Sequence, residues 1–254
     1  YNWHDGVHKI SPLSSDSLNP CGLSLKEPCD DHGHGSHTMG TMTGRTDDEW
    51  YGIAPKAKWI GCRNMERGNG APSTYIECFE FFLAPTDLDG NNPKPELAPH
   101  VINNSWYCSK DEGCDTSNFK LMQQVIINLR KAGIVVVVSA GNDGQSCGTI
   151  ANPPAMFEES FVVGSFAIND TISNFSSIGP VKIDGSNRIK PNVVAPGSDV
   201  VSQVLDGSFQ AWNGTSMAGP HVAGLVAWAW LWCWPQLQCN QAWAPFPAWQ
   251  PCCL

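Results

Sequence analysis

The chain is poor in charge, and poorest in positive charge. Of its 254 residues only 15% are Asp, Glu, Lys or Arg, and 15 Lys and Arg stand against 24 Asp and Glu. A formal net charge of -9, with no cluster of Lys or Arg, argues against nucleic acid or an anionic membrane as partner, because both are held by concentrated positive charge. No segment is expected to span a bilayer: the apolar run Val222 to Trp234 falls short of the roughly 20 residues a spanning helix needs. Neither CxxC nor HExxH occurs, which removes two common zinc signatures. There is no secretory leader, and since Tyr1 reads as a position within a domain, that lack says nothing of the full gene product. Disorder is excluded by a hydrophobic content of 42%, enough for one large core.

Cysteine, by contrast, is abundant. Eleven residues are many for a reducing compartment, and the short spacings Cys21 to Cys29 and Cys108 to Cys114 would close small loops if oxidised, so a secreted, disulfide-bonded protein is expected. Cys62 and Cys78 lie in apolar surroundings and read as buried free thiols. Of the Asn-x-Ser/Thr sites, Asn103 falls in a core strand and Asn213 beside a tight turn, which leaves Asn169 and Asn174 as glycan acceptors.

Strand and helix patterns alternate along the chain. Lys58 to Met65, His100 to Trp106, Ile134 to Val138 and Ser160 to Phe166 read as strands; Ser73 to Phe82 and Asn118 to Lys131 read as helices, the second with Phe119, Met122, Val125, Ile126 and Leu129 on one face. The run at Ile134 is apolar on both sides, as a central parallel strand covered by helices must be. The expected class is therefore α/β, with the site at the carboxyl ends of the strands.

Three motifs carry the chemistry. GTSMAGPH, Gly214 to His221, places Ser216 at the mouth of a helix after a glycine turn, where free N–H groups and the positive end of the helix dipole favour an oxyanion. DDHGHGSH, Asp30 to His37, brings three imidazoles close together, and VVVVSAGNDG puts Asn142 just past the central strand. A serine hydroxyl needs a base near neutrality to take its proton, and the resulting oxyanion needs preorganised donors.

Together and in this order the motifs resemble the subtilisin-like serine proteases, whose triad runs Asp, His, Ser along the chain. VINNSW at Val101, ISNFSSIGP at Ile172 and KPNVVAPGSDVVS at Lys190 extend the resemblance. YNWHD, HTMGTMTG and LAPTDLDGNN look most like the bacillopeptidase F-like branch. The resemblance implies a three-layer subtilisin-like fold with a mostly parallel sheet, and a serine endopeptidase working through an acyl-enzyme. It makes His34 the general base, Ser216 the nucleophile and Asn142 an oxyanion donor. Asn104, Ser105, Trp106 and Gly141 become the substrate-binding residues, with polypeptides as substrates and no cofactor required for chemistry; a structural calcium is conceivable by family. Tyr107 stands where the family has glycine, and is expected either to narrow the primary specificity pocket or simply to face solvent beside Cys108.

The acid of the triad is not assigned. In the family it closes a buried apolar strand upstream of the histidine, whereas this chain opens polar and turn-rich, with no apolar run before Asp5. The strand and its Asp are therefore expected upstream of Tyr1, and without them turnover is expected to fall about 10⁴-fold. The expected organisation is a catalytic domain over 1–227 and an atypical Trp/Cys/Pro-rich apolar tail over 228–254, where the composition changes abruptly. Two other function classes stand beside the protease: an inactive subtilase-like fold that binds peptides through an edge strand, and a metal-dependent hydrolase using His32, His34 and His37. Against the latter, His32 reads as a solvated loop residue, His37 as a packed helix residue, and Asp30 and Asp31 as loop carboxylates.

Overall fold

In the computed structural model, residues 1–14 and 19–233 are described. Most of the expected tail, from 234 onward, lies outside them. The centre is a four-stranded parallel sheet in the order β5 (Val101–Asn104), β6 (Val135–Ser139), β7 (Phe161–Phe166), β8 (Val193–Pro196). Val101 stands beside Val135, Val137 beside Phe161 and Val163 beside Val193. Strand side chains alternate between faces, and here both faces are apolar. Ile102, Val136, Val138 and Val162 pack against Tyr75 and Phe79 of α2 (Pro72–Leu83) and Met122, Ile126 and Leu129 of α3 (Phe119–Lys131). Val137, Val163 and Ala195 pack on the other face against Ala218 and Ala223 of α4 (Thr215–Cys233), with Met42 of α1 (His34–Thr43) alongside. This is the expected α/β architecture of three layers, helices on both sides of a mostly parallel sheet.

A second, two-stranded parallel sheet pairs β1 (Trp3–Asp5) with β2 (Gly61–Arg63), Asp5 opposite Arg63. The opening segment thus contains a strand, where the sequence pattern had suggested turns only: Trp3 and Asp5 are both buried, and pairing with β2 supplies what three residues of propensity do not. Two antiparallel hairpins complete the strands, β3 (Met65–Glu66) with β4 (Asn69–Gly70), and β9 (Val200–Gln203) with β10 (Phe209–Trp212).

Disulfides join Cys21 to Cys29 and Cys108 to Cys114, the two short loops the spacing predicts. Cys62 and Cys78 are not free thiols: they are bonded to each other, tying β2 to α2 across a separation of 16 residues. Apolar surroundings favour a buried disulfide as readily as a buried thiol, so burial could not tell them apart. Cys147 is also disulfide-bonded. Asn169 and Asn174 are exposed, as acceptor sites must be. No helix among the described residues is long and apolar enough to cross a membrane.

Candidate active site

The site forms where β5, β6 and α4 meet. α4 carries Pro220 in its second turn, and proline has no N–H to give the carbonyl four residues back. That carbonyl belongs to Ser216. It is satisfied instead by Ser105, just past the end of β5, whose hydroxyl donates to it at 2.8 Å. Ser139, the last residue of β6, donates in the same way to the Thr215 carbonyl at 3.0 Å. Asn103 Nδ2 donates to Ser105 Oγ at 2.9 Å and so completes the arrangement. The turn that bears Ser216 is thus bolted to the carboxyl ends of two neighbouring parallel strands.

Asn142 follows β6 and is fixed from the other side. Its Oδ1 accepts the Thr215 backbone N–H at 2.9 Å and stands 3.0 Å from the Thr215 hydroxyl. With the oxygen engaged, Nδ2 turns the other way, and a Cβ placed on Gly214 would stand 3.6 Å from it. An amide donor therefore faces the turn immediately before Ser216, whose own Oγ donates to the Ser105 carbonyl at 3.3 Å.

His34 opens α1, the helix packed beside α4. Gly33 supplies the left-handed residue, φ 89°, that starts this helix. Asp30 holds the same turn: its Oδ1 accepts the N–H groups of His32 and Gly33, and its Oδ2 the N–H and hydroxyl of Ser36. Burial alone would raise the Asp30 carboxyl, but these donors together hold it below the usual range. The His34 imidazole is pulled down to about 4, first by burial and then by the neighbouring His32 and His37, against the opposing pull of Asp30. Among the described residues its ring makes no hydrogen bond to a carboxylate or to Ser216. Trp212, at the end of β10, packs against the start of α1, with its ring 6.5 Å from that of His34 and stacked on His37 at 4.7 Å.

Asp5 and Asp31 are engaged by other groups. Asp5 takes a two-pronged contact from Arg63, Nε and Nη2 both at 2.9 Å, together with the N–H groups of Val7 and Leu25. Asp31 takes Arg63 Nη1 at 3.4 Å and the N–H of Arg67. The three histidines do not converge on a point either. The rings of His32 and His34 lie 6.4 Å apart at 61°, while His37 is fully buried with Nε2 on the Gln210 carbonyl. His32 is exposed and lies against the β3–β4 turn at Gly68.

Of the four expected substrate-binding residues, the three that carry side chains use them in the fold. Asn104 donates to the Val137 carbonyl at 3.1 Å, Ser105 to Ser216 as above, and Trp106 stacks on Tyr75 at 3.9 Å and 5°. Gly141 exchanges contacts with the Thr215 hydroxyl through both its N–H and its carbonyl. What they leave for a ligand is main chain. Sequence reasoning missed Thr215, Ser139, Arg63 and Trp212. A hydroxyl next to Ser216, and another closing an apolar strand, were the only signals available for the first two.

Residues 22–238 match the sequence model of the subtilase family. The chain belongs to that family. Bacillopeptidase F of Bacillus subtilis (strain 168) is 40% identical over 233 residues, which is 89% of this chain and 14% of that protein. Subtilisin-like protease 1 of Arthroderma otae is 34% identical over 200 residues, 78% of this chain and 36% of that protein. This subtilase therefore spans well under half the length of both relatives. The solved structure of sphericase matches with a TM-score of 0.68 over 90% of this chain and 70% of that one; at 24% identity the likeness speaks to the fold.

Proposed function

We propose that this subtilase is a serine endopeptidase that cleaves polypeptides through an acyl-enzyme. The observation that carries the reading is the Thr215 clamp on Asn142, which aims an amide N–H at the turn of Ser216. In this reading Ser216 Oγ attacks the scissile carbonyl, His34 takes the hydroxyl proton and returns it to the leaving amine, and Asn142 Nδ2 donates to the oxyanion. The substrate lies as an added strand on the main chain of 104–106, which gives affinity with little demand on side chains. Three disulfides between described residues, a further bonded cysteine at Cys147 and eleven cysteines in all suit an oxidising, extracellular setting.

A second reading, a peptide-binding fold without catalysis, draws on two observations: His34 has no carboxylate partner among the described residues, and Ser216 Oγ donates to a backbone carbonyl. A fluorophosphonate probe separates the two. Labelling that vanishes in Ser216→Ala supports the peptidase; peptide binding without labelling supports the silent fold. Loss of an acid partner of His34 is expected to cost about 10⁴-fold in turnover. Asn142→Ala should cost a further ~10²–10³ in kcat, the range seen when such a donor is removed from a subtilisin, with KM little changed. An equal loss in KM and kcat would count against the oxyanion role.

A further inference from the structure

Asp30 and Asp31 are neighbours in sequence with different partners. Asp31 is drawn to Arg63 and to the N–H of Arg67. Among the described residues no lysine or arginine forms an ion pair with Asp30. Its carboxylate is met by neutral donors instead: the N–H groups of His32 at 2.9 Å and Gly33 at 2.8 Å on Oδ1, and the N–H and hydroxyl of Ser36, both at 2.8 Å, on Oδ2. Ser36 is the third residue of α1, and its N–H is one of the donors that a helix cannot satisfy from within. Gly33, the cap residue of this helix, has no side chain to offer it. Asp30 does so from three residues further out, where the positive end of the helix also favours a carboxylate. The fit is close, since a Cβ on Gly35 would stand 3.4 Å from Asp30 Oδ2. His34 therefore lies between two anchors, Gly33 before it and Ser36 after it, both tied to one side chain.

We infer that Asp30 is a positioning residue for His34: it fixes the backbone that carries the imidazole, and it keeps an unpaired negative charge near the ring that receives the Ser216 proton. The inference rests on the endopeptidase reading of the site and deepens it by adding a residue that acts through the base. Asp30 makes no hydrogen bond to the ring, so its effect on the proton is through space. The other charges near the ring oppose it. His32 on the preceding turn and His37 one turn further along α1 both disfavour a cation at His34, and Asp30 favours one. From the β9–β10 hairpin the facing group is Trp212, which carries no charge. When Ser216 gives up its proton, the imidazolium that forms is stabilised by the Asp30 carboxylate.

The test reads the imidazole itself, so that it does not depend on turnover. In a Ser216→Ala chain with isotope-labelled histidines, NMR follows the ring signals from pH 3 to 8, and the signal lost in His34→Gln identifies His34. Asp30→Asn keeps the size and one acceptor oxygen and removes the charge; the His34 midpoint should fall below that of the parent. Ser36→Ala removes one of the donors and leaves the charge, so it should lower the melting temperature without moving the midpoint. An unmoved midpoint in Asp30→Asn, or an equal fall in Ser36→Ala, overturns the inference. If Asp30→Asn does not fold, Asp30→Ser, which offers a hydroxyl to the turn and no charge, must lower the midpoint; an unmoved one overturns the inference as well. Fluorophosphonate labelling is read separately, in chains that retain Ser216, and should be about tenfold slower in Asp30→Asn at neutral pH. Labelling of the parent with an unmoved midpoint sinks the role of Asp30 alone, and a moved midpoint with no labelling of the parent sinks the peptidase alone.

Discussion

At the scale of single residues, His34 titrates well below its free value. Burial holds the imidazole at about 4 where an unfolded chain holds it near 6.5. A base must be neutral to take a proton, so kcat/KM is expected to rise with pH through a limb near 4 and to be flat by pH 6. The same displacement has a sign for stability. Between the two values the unfolded chain binds a proton that the folded one does not, so this stabilising contribution is fully present above about 6.5 and is lost as pH falls through 4. Comparing unfolding of the parent and His34→Gln from pH 3 to 8 checks it: the difference between them must change over that window. Tyr107 is a second case. It is 40% exposed, and burial of the remainder, with Asp143 and Glu112 nearby, raises its phenol. If it narrows the primary pocket, Tyr107→Gly should raise cleavage after Phe or Leu relative to Ala by about ten- to a hundredfold; an unchanged ratio in a peptide library returns it to a surface residue. Ser216, His34 and Asn142 could be picked out as candidates because each stands in a local run that ordinary packing does not require. Arg63 was not, because nothing near it in sequence announces that Asp5 and Asp31 will both close on its guanidinium.

At the scale of elements, the most consequential link joins the start of α4 to the ends of β5 and β6. The helix itself could be read from GTSMAGPH and the apolar run behind it, and β6 from the apolar run Ile134 to Val138. The link could not, since Ser105 and Ser216 are 111 positions apart and a serine after a strand has no sequence mark that says what it will bind. Its logic is physical: Pro220 orphans the Ser216 carbonyl, and an orphaned buried acceptor costs about 1–3 kcal/mol. Ser105→Ala should therefore lower stability by that amount and, by loosening the turn, lower kcat. Pro220→Ala restores an N–H to the helix, so in the Ser105→Ala background it should recover part of the loss. A double-mutant cycle by urea unfolding should give a coupling of about 1 kcal/mol, and strict additivity would show that the carbonyl finds another partner.

At the scale of the whole molecule, the two parallel sheets are held by different means. β5 to β8 lie between helices on both faces, with Val136, Val137, Val138 and Val162 all nearly or fully buried, and hydrophobic burial suffices for them. The β1–β2 pair has three residues a side, a charged pair at its end in Asp5 and Arg63, and α2 as its neighbour. A two-stranded sheet of that size is marginal by itself. The Cys62–Cys78 bond supplies what the short strands lack, because it fastens β2 to α2, and α2 also packs beside α3 over the main sheet. Closing a loop of 16 residues removes unfolded-state freedom equivalent to about 3 kcal/mol. In the double variant Cys62→Ser, Cys78→Ser, amides of Trp3–Asp5 and Gly61–Arg63 should exchange with solvent markedly faster, while those of β6 and β7 keep their protection. Uniform acceleration across both sheets would mean that they open as one unit; local acceleration would show that the disulfide, and not the core, holds the first sheet in place.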